Sequence, residues 1–447
     1  MEKTVDIIGA GLAGSEAALQ LASRGVRVRL HEMRPAVGTA VHRGAGCAEL
    51  VCSNSLKSTK PESAAGMLKA ELAGLGSFLL QEAYRTRVAA GGALAVDRDE
   101  FSAAVTRLVR SHPLIEFVVG EVAQPSFDAD AVIVATGPLT SDALASWIAR
   151  RAGSENLAFF DAAAPVVTAD SLDETVLFRQ SRYEEQAVGD YLNAPFSKER
   201  YDAFVDELVA AERVVKKDFE TGDLFQACQP IEEIARKGRD APRFGTCKPV
   251  GLTDPATGRR PWAAVQLRAE NAACTAYNLV GFQTNLTFPE QRRVFRMIPG
   301  LERAEFARYG VMHRNTFICA PELLGRDLRF EKASEAGCPV YAAGQLSGTE
   351  GYCEAIMSGL AAAISVFARL RGVDAPVMPR ETAFGALLAW ATDPATRDYQ
   401  PMHVNFGIMD PLEQKIRNKQ QRYAAYAQRG ARALEDYLQA LRAAGLA

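Results

Sequence analysis

The chain has no CxxC pair, only one GxGxxG, and no run of about eighteen uncharged apolar residues, and each absence excludes something. Without CxxC spacing among the cysteines at 47, 52, 228, 247, 274, 319, 338 and 353, no zinc site is expected, and no other metal. In a reducing compartment most such cysteines are small buried hydrophobes. Without a long apolar run there is no expected membrane span. Asp6 and Glu16 interrupt the first twenty residues, so no signal peptide is read there and the chain reads as cytoplasmic. Neither sign of charge dominates: 51 Lys and Arg against 54 Asp and Glu give a net −3. A nucleic acid would have to be met by a local basic patch, not by the global field. Internal repeats and low-complexity tracts are also missing.

What remains is ordinary globular composition, 48% hydrophobic and 23% charged, over 447 residues. That length exceeds one usual core, so two or three domains are expected. Val5-Asp6-Ile7-Ile8 reads as a buried strand, Ser15 to Arg24 as a helix stopped at Gly25, and Val26 to His31 as a second strand ending at Glu32. Helical spacing returns over Ala64 to Tyr84 and from about Asp99. Phe117-Val118-Val119 and Val132 to Gly137 read as further strands. From Pro165 to Leu286 the βα alternation fails, with a charged helix around Glu199 to Lys217 and a Pro/Gly-rich run from Pro242 to Pro261. The first unit resumes with Pro339 to Gln345 as strand and turn, then a small-residue helix from about Tyr352 to Arg371. The expected class is α/β: a Rossmann-like domain of the glutathione-reductase type with an inserted α+β domain. Its expected parts are residues 1–164, an insert at 165–286, and a second part at 287–447 with a basic C-terminal helix.

The strongest local signal is Gly9-Ala10-Gly11-Leu12-Ala13-Gly14 between the first strand and helix. Gly9 permits the tight turn, Gly11 lets backbone approach a pyrophosphate, and Gly14 allows close helix–strand packing. The helix N-terminus then offers free N–H groups to phosphate. Glu32, 18 residues past Gly14 at the second strand end, suits ribose hydroxyls. Two distant strand-end turns, Ala135-Thr136-Gly137 and Ala343-Gly344-Gln345, suit a fold enclosing a long cofactor, which favours FAD over NAD. Cys47-x4-Cys52 invites comparison with flavoprotein disulfide reductases. Those also need a second GxGxxG and a histidine–glutamate pair, and His403 has no glutamate near it in sequence.

Longer segments are more specific. Glu49-Leu-Val-Cys52-Ser-Asn-Ser-Leu-Lys57, Cys228-Gln-Pro-Ile-Glu-Glu233, Gly310 to Phe317 and Gly348-Thr-Glu-Gly-Tyr-Cys-Glu354 resemble signature segments of one family. Lys248 to Leu252, Gln266-Leu-Arg, Tyr277 to Thr284 and Asn405-Phe-Gly407 extend the match over nearly the whole chain. The family is the folate- and FAD-dependent tRNA (uracil-5-)-methyltransferases. Cys247, His403 and Cys353 depart from its usual residues, none at a position assigned to chemistry.

The resemblance implies carbon from methylenetetrahydrofolate, electrons from NAD(P)H, FAD as the carrier, and the T-loop uridine of tRNA as substrate. Uracil C5 is a weak nucleophile, and a thiolate adding at C6 turns it into an enolate carbon that can attack a one-carbon electrophile. Cys228 matches the family's nucleophile, and Cys52 its second functional cysteine, as C5 base or as protector of the nucleophile. His313, Arg314 and Asn315 form a polar cluster suited to a folate pterin, and Tyr352 is placed to lie over the flavin ring. Lys415, Arg417, Lys419, Arg422, Arg429 and Arg432 near the C-terminus, opposed only by Glu413, offer phosphate contacts. Arg213, Lys216, Lys217, Arg236 and Lys237 offer a second such surface. The alternatives are a paralogue acting on ribosomal RNA and a flavin oxidoreductase acting on a small molecule. A related flavoprotein that modifies the wobble uridine would be expected to carry a longer helical C-terminus, and an S-adenosylmethionine enzyme would leave the FAD-type turns without purpose.

Overall fold

The run Val5, Ile7 and Ile8 is buried on strand β1 (Thr4–Ile8), and the glycine turn after it leads into helix α1 (Leu12–Ser23) and strand β2 (Arg27–Glu32). These coordinates are a computed structural model. It describes residues 3–39, 41–152, 157–182, 189–214, 229–331, 337–396, 399 and 401–447, with backbone only at 151–152, 157–162 and 312–317. β1 lies at the centre of a parallel sheet ordered Val340–Ala342, Ala131–Val134, β1, β2, Ile115–Val119. Helices cover a parallel sheet on both faces, which is why Ala131–Val134 is apolar and buried at every position instead of alternating.

The long helix Tyr352–Arg371 packs against α1 so closely that a Cβ on Gly359 would stand 2.1 Å from the Ala13 carbonyl oxygen. By length and composition this helix could cross a membrane, yet most of it is buried inside the protein. The expected single helix over 64–84 is two, Ala64–Gly74 and Phe78–Arg85. Gly76 at φ +73° reverses the chain, and the Ser77 hydroxyl accepts the Leu80 N–H to start the second helix. Buried Glu16 of α1 accepts the Phe78 and Leu79 N–H groups there, at 3.1 and 2.9 Å.

The second unit is an antiparallel sheet ordered Phe178–Arg179, Leu192–Phe196, Ala263–Ala269, Ala276–Leu279, Val166–Thr168, Phe306–Arg308. Its core joins Phe196, Phe204 and Phe282 to Phe295, Ile298 and Leu301, so the packing runs on past Leu286. The helix Phe288–Phe295 and the edge strand Phe306–Arg308 bury their apolar sides against this sheet, not against the parallel one. A ribbon of Leu157–Ala162 paired antiparallel with Met312–Phe317 carries the chain out to this unit and back. The C-terminal helix starts at Lys419, capped by the Asn418 side chain, so Lys415 and Arg417 precede it.

Glu71 illustrates how buried polar groups tie the elements together. Its carboxylate accepts the Ala383 and Phe384 N–H groups at the start of the helix Ala383–Ala391, at 2.6 and 3.0 Å. Burial pushes its pKa up to about 7, against those two hydrogen bonds, which favour the charged form. A carboxyl whose folded pKa is raised contributes stability that is full below its unfolded pKa and lost as pH rises through the folded one. The melting-temperature advantage of the wild type over Glu71→Gln should therefore shrink by a few degrees between pH 5 and pH 8. Thermal melts across that range check this, and an advantage that grows with pH would refute it.

Candidate active site

The glycines of the first turn divide the work. A Cβ at Gly9 (φ +103°) would lie 2.6 Å from the Ala135 carbonyl oxygen, and one at Gly14 only 1.8 Å from the Gly9 carbonyl oxygen. Both are packing positions. Gly11 has nothing within 4 Å in that direction, and no side chain caps α1, so this helix end opens directly on a cleft. The cleft is lined by Gly9, Gly11, Leu12 and Ala13, by Glu32, and by the turns at Gly137 and at Gly344 and Gln345. Tyr352 and Cys52 line it as well. Ala10 and Gly14 lie behind its wall: Ala10 is buried and donates its N–H to Glu32 Oε2 at 3.0 Å.

Glu32 does not stand alone. Arg34 donates its backbone N–H and its Nε to Oε1, at 3.0 and 2.9 Å, and its guanidinium continues to Glu49 and to the Gly44 and Gly46 carbonyls. Burial would raise the Glu32 pKa, but the hydrogen bond and charge of Arg34 hold it below the ordinary range. An ionised carboxylate here accepts hydroxyl donors, as a ribose requires. The helix Tyr352–Arg371 likewise begins at Gly351 without a side-chain cap, with Gly351, Tyr352 and Ala355 on the cleft. Two uncapped helix ends, an open glycine and an ionised acid in one cleft fit a dinucleotide with its pyrophosphate.

Cys52 sits where the two units meet. Tyr352 Oη accepts the N–H of Cys52 at 2.9 Å and of Ser53 at 3.1 Å. Burial and the nearby Cys52 push the Tyr352 hydroxyl's pKa upward. Arg98 and Arg308 both donate to the Cys52 carbonyl, at 3.3 and 3.2 Å, and Arg98 also pairs with Glu270 of the antiparallel sheet. Asn54, fully buried, donates to the Val96 and Ala269 carbonyls (3.0 and 2.9 Å) and accepts from Arg268 Nε (2.8 Å). Burial, with the charge of Arg98, brings the Arg308 pKa down to about 10. Its Nε is buried with no hydrogen-bond partner among the described residues.

Cys47, four residues before the Val51–Cys52 stretch, is completely buried against Ser102 and Thr106, away from the cleft surface that Cys52 lines. His403 lies near Glu354 in space, but Glu354 is engaged by Lys57 and by the Val404 N–H. Neither arrangement resembles a redox-active pair. Among the described residues no group of three His, Cys, Asp or Glu is arranged around a metal position.

The sequence profile described as Glucose inhibited division protein A matches residues 4–374. The methylenetetrahydrofolate--tRNA-(uracil-5-)-methyltransferase TrmFO of Geobacter sulfurreducens is 52% identical over 439 residues, covering 98% of this chain and 99% of that protein. The enzyme of the same name from Symbiobacterium thermophilum is 52% identical over 431 residues, covering 96% and 95%. The chain belongs to the TrmFO family. Among solved structures, Aquifex aeolicus GidA in its form II crystal matches with a TM-score of 0.70 at 16% identity, over 100% of this chain and 74% of that one. That likeness carries the fold, and with the parallel sheet it bears out the Rossmann-like architecture expected from sequence.

Of the residues picked out by sequence in this TrmFO-family chain, Cys228 lies outside the described residues. Just after it in sequence, Ile231 N–H donates to the Gln283 carbonyl at 2.8 Å, and buried Glu232 accepts from Thr284 Oγ1 and the Asn285 N–H. His313, Arg314 and Asn315 lie on the strand Met312–Phe317, which packs against both the Gly137–Leu139 and Gly344–Ser347 turns. Arg213 is paired with Glu233 and Arg236 reaches the Val209 carbonyl, so that surface is less free than its charges suggested. Arg34, Asn54, Arg98 and Arg308 were not picked out. Asn54 stood inside a quoted segment, while the arginines carry no local spacing that marks them.

Two glycine variants separate cleft from core. Gly11→Val should accumulate as folded protein that melts like the flavin-free wild type, but lose most of its bound flavin absorbance, because its side chain enters the open cleft. Gly14→Val should cost about 3 kcal/mol or more and fail to accumulate, since it drives a side chain into the Gly9 carbonyl. Equal flavin content in Gly11→Val and wild type would contradict this placement.

Proposed function

We propose that this chain methylates C5 of the T-loop uridine of tRNA, taking the carbon from methylenetetrahydrofolate and the electrons from NAD(P)H, in the cytoplasm. The observation that carries the reading is one cleft lined both by a dinucleotide turn and by a cysteine pinned between two units. It occurs in a chain about half identical, end to end, to enzymes named for this reaction. The α1 turn, Glu32 and the Gly344 turn would hold FAD, which would supply reducing equivalents there.

Cys228 supplies the thiolate that adds to uracil C6, which turns C5 into a carbon nucleophile. C5 then forms its bond to the folate-derived carbon. Cys52, on the cleft wall, takes the C5 proton, and the electron pair left behind expels tetrahydrofolate from the new carbon as an exocyclic methylene forms. A hydride equivalent, its electrons originating in NAD(P)H, would then make that methylene a methyl group, and the resulting enolate expels the Cys228 sulfur to restore the ring. The strand bearing His313, Arg314 and Asn315 borders both turns of the cleft, which suits it to hold the pterin. Arg98 and Arg308 fix the Cys52 backbone, so the thiol cannot drift while RNA is exchanged.

Purified protein with FAD, NAD(P)H and an unmodified tRNA transcript tests this, given methylenetetrahydrofolate in one tube and S-adenosylmethionine in another. Mass spectrometry of the digested RNA should find 5-methyluridine in the folate tube alone, and Cys228→Ala should lower the yield at least 1000-fold, on the order of losing a nucleophile. Product on ribosomal RNA but not tRNA, or with S-adenosylmethionine, would overturn the reading.

A further inference from the structure

The edge strand of the antiparallel sheet, Phe306–Arg308, contains an irregularity in its pairing with Val166–Thr168: Phe306 opposes Val167, while Arg308 opposes Val166. A bulge of this kind re-aims the side chains that follow it. Here it brings Phe306 and Tyr309 into a parallel stack, ring centroids 5.0 Å apart and planes 11° apart. Phe288, at the first turn of the helix Phe288–Phe295, stacks on the other face of Tyr309 at 4.7 Å and 17°. Three rings thus form one column, and its end ring, Phe288, is 49% exposed.

The column is rigid. Buried Gln291 donates to the Gly310 carbonyl and accepts the Gly310 N–H, both at 2.8 Å, which locks the residue after Tyr309 to the helix that carries Phe288. Arg292 donates twice to the Tyr309 hydroxyl, at 3.1 and 2.7 Å, and Arg43 reaches over to the Ala307 carbonyl at 3.1 Å. Arg308, next to Tyr309, touches the Cys52 carbonyl. A flat aromatic surface flanked by guanidiniums is therefore built and held in place, on the segment whose Arg308 reaches the Cys52 carbonyl.

We propose that Phe288 is a stacking platform for an unpaired nucleobase that flanks the uridine in the cleft. The inference rests on the RNA-modifying reading above. Aromatic faces bind single-stranded bases without sequence preference, and a site that acts on a base must hold it out of its stack. The exposed arginines Arg43 and Arg292 meet the adjoining phosphates. The ordered column lowers the cost of binding because no side chain has to be frozen on arrival.

The test uses the full-length flavin-loaded protein and the unmodified tRNA transcript. Phe288→Ala should weaken tRNA binding, and raise KM for tRNA, roughly 5- to 100-fold at fixed salt, with a smaller effect on kcat. Reduction of the flavin by NAD(P)H without RNA should stay at the wild-type rate, and Phe288→Trp should restore binding. Arg292→Ala should reduce the salt dependence of binding by about one counterion. Unchanged tRNA affinity in Phe288→Ala overturns the proposal. So does failure of Phe288→Trp to restore it, or a change in oligomeric state by light scattering that accounts for the loss. If wild type binds tRNA yet makes no 5-methyluridine, the functional reading falls, while the binding comparison still decides the role of Phe288.

Discussion

Everything around the cleft depends on how the segment 50–54 is stitched between the two units. Asn54 spends its amide on one carbonyl from each unit and its oxygen on Arg268, while Arg98 bridges from the Leu50 and Cys52 carbonyls to Glu270. A fully buried amide with all these partners is stabilising only as a complete set. Removing any one leaves a buried polar atom unsatisfied, which costs about 1–3 kcal/mol. The network thus does more than attach one unit to the other. It fixes the relation between the cofactor's cleft and the sheet that carries the edge strand, and it places Cys52 at that seam.

What sequence made legible follows from the range of the forces involved. The β1–α1–β2 unit is read from a few consecutive residues, since tight turns and close helix–strand approach impose their own spacing on glycine. The Tyr352–Arg371 helix was equally plain, because its small residues exist to approach α1. The split of 64–85 into two helices was missed: a Gly-Ser pair inside an apolar pattern is a weak break until Glu16 is seen to satisfy the second helix's N–H groups.

The candidate site was half legible. Glu32 is found by its distance from the glycines, but nothing in the local sequence marks Arg34, two residues on, as its partner. Arg98 and Arg308 lie 210 residues apart in sequence and meet only at one carbonyl, so no local pattern announces them. The cysteine spacing gave a misleading hint for the opposite reason. Cys47 and Cys52 are near in sequence, yet one is sealed under Thr106 and the other faces the cleft.

The two uncapped helix ends that open on one cleft have a further consequence. Each leaves N–H groups whose natural partner is an anion, and both helices belong to the same packed core. A dinucleotide bound in the cleft would supply acceptors to such N–H groups, so loading the cofactor would also stabilise the fold. For a cell, riboflavin supply would set the abundance of this protein as well as its activity: scarcity would leave fewer intact molecules to survive proteolysis, not a reserve of idle ones.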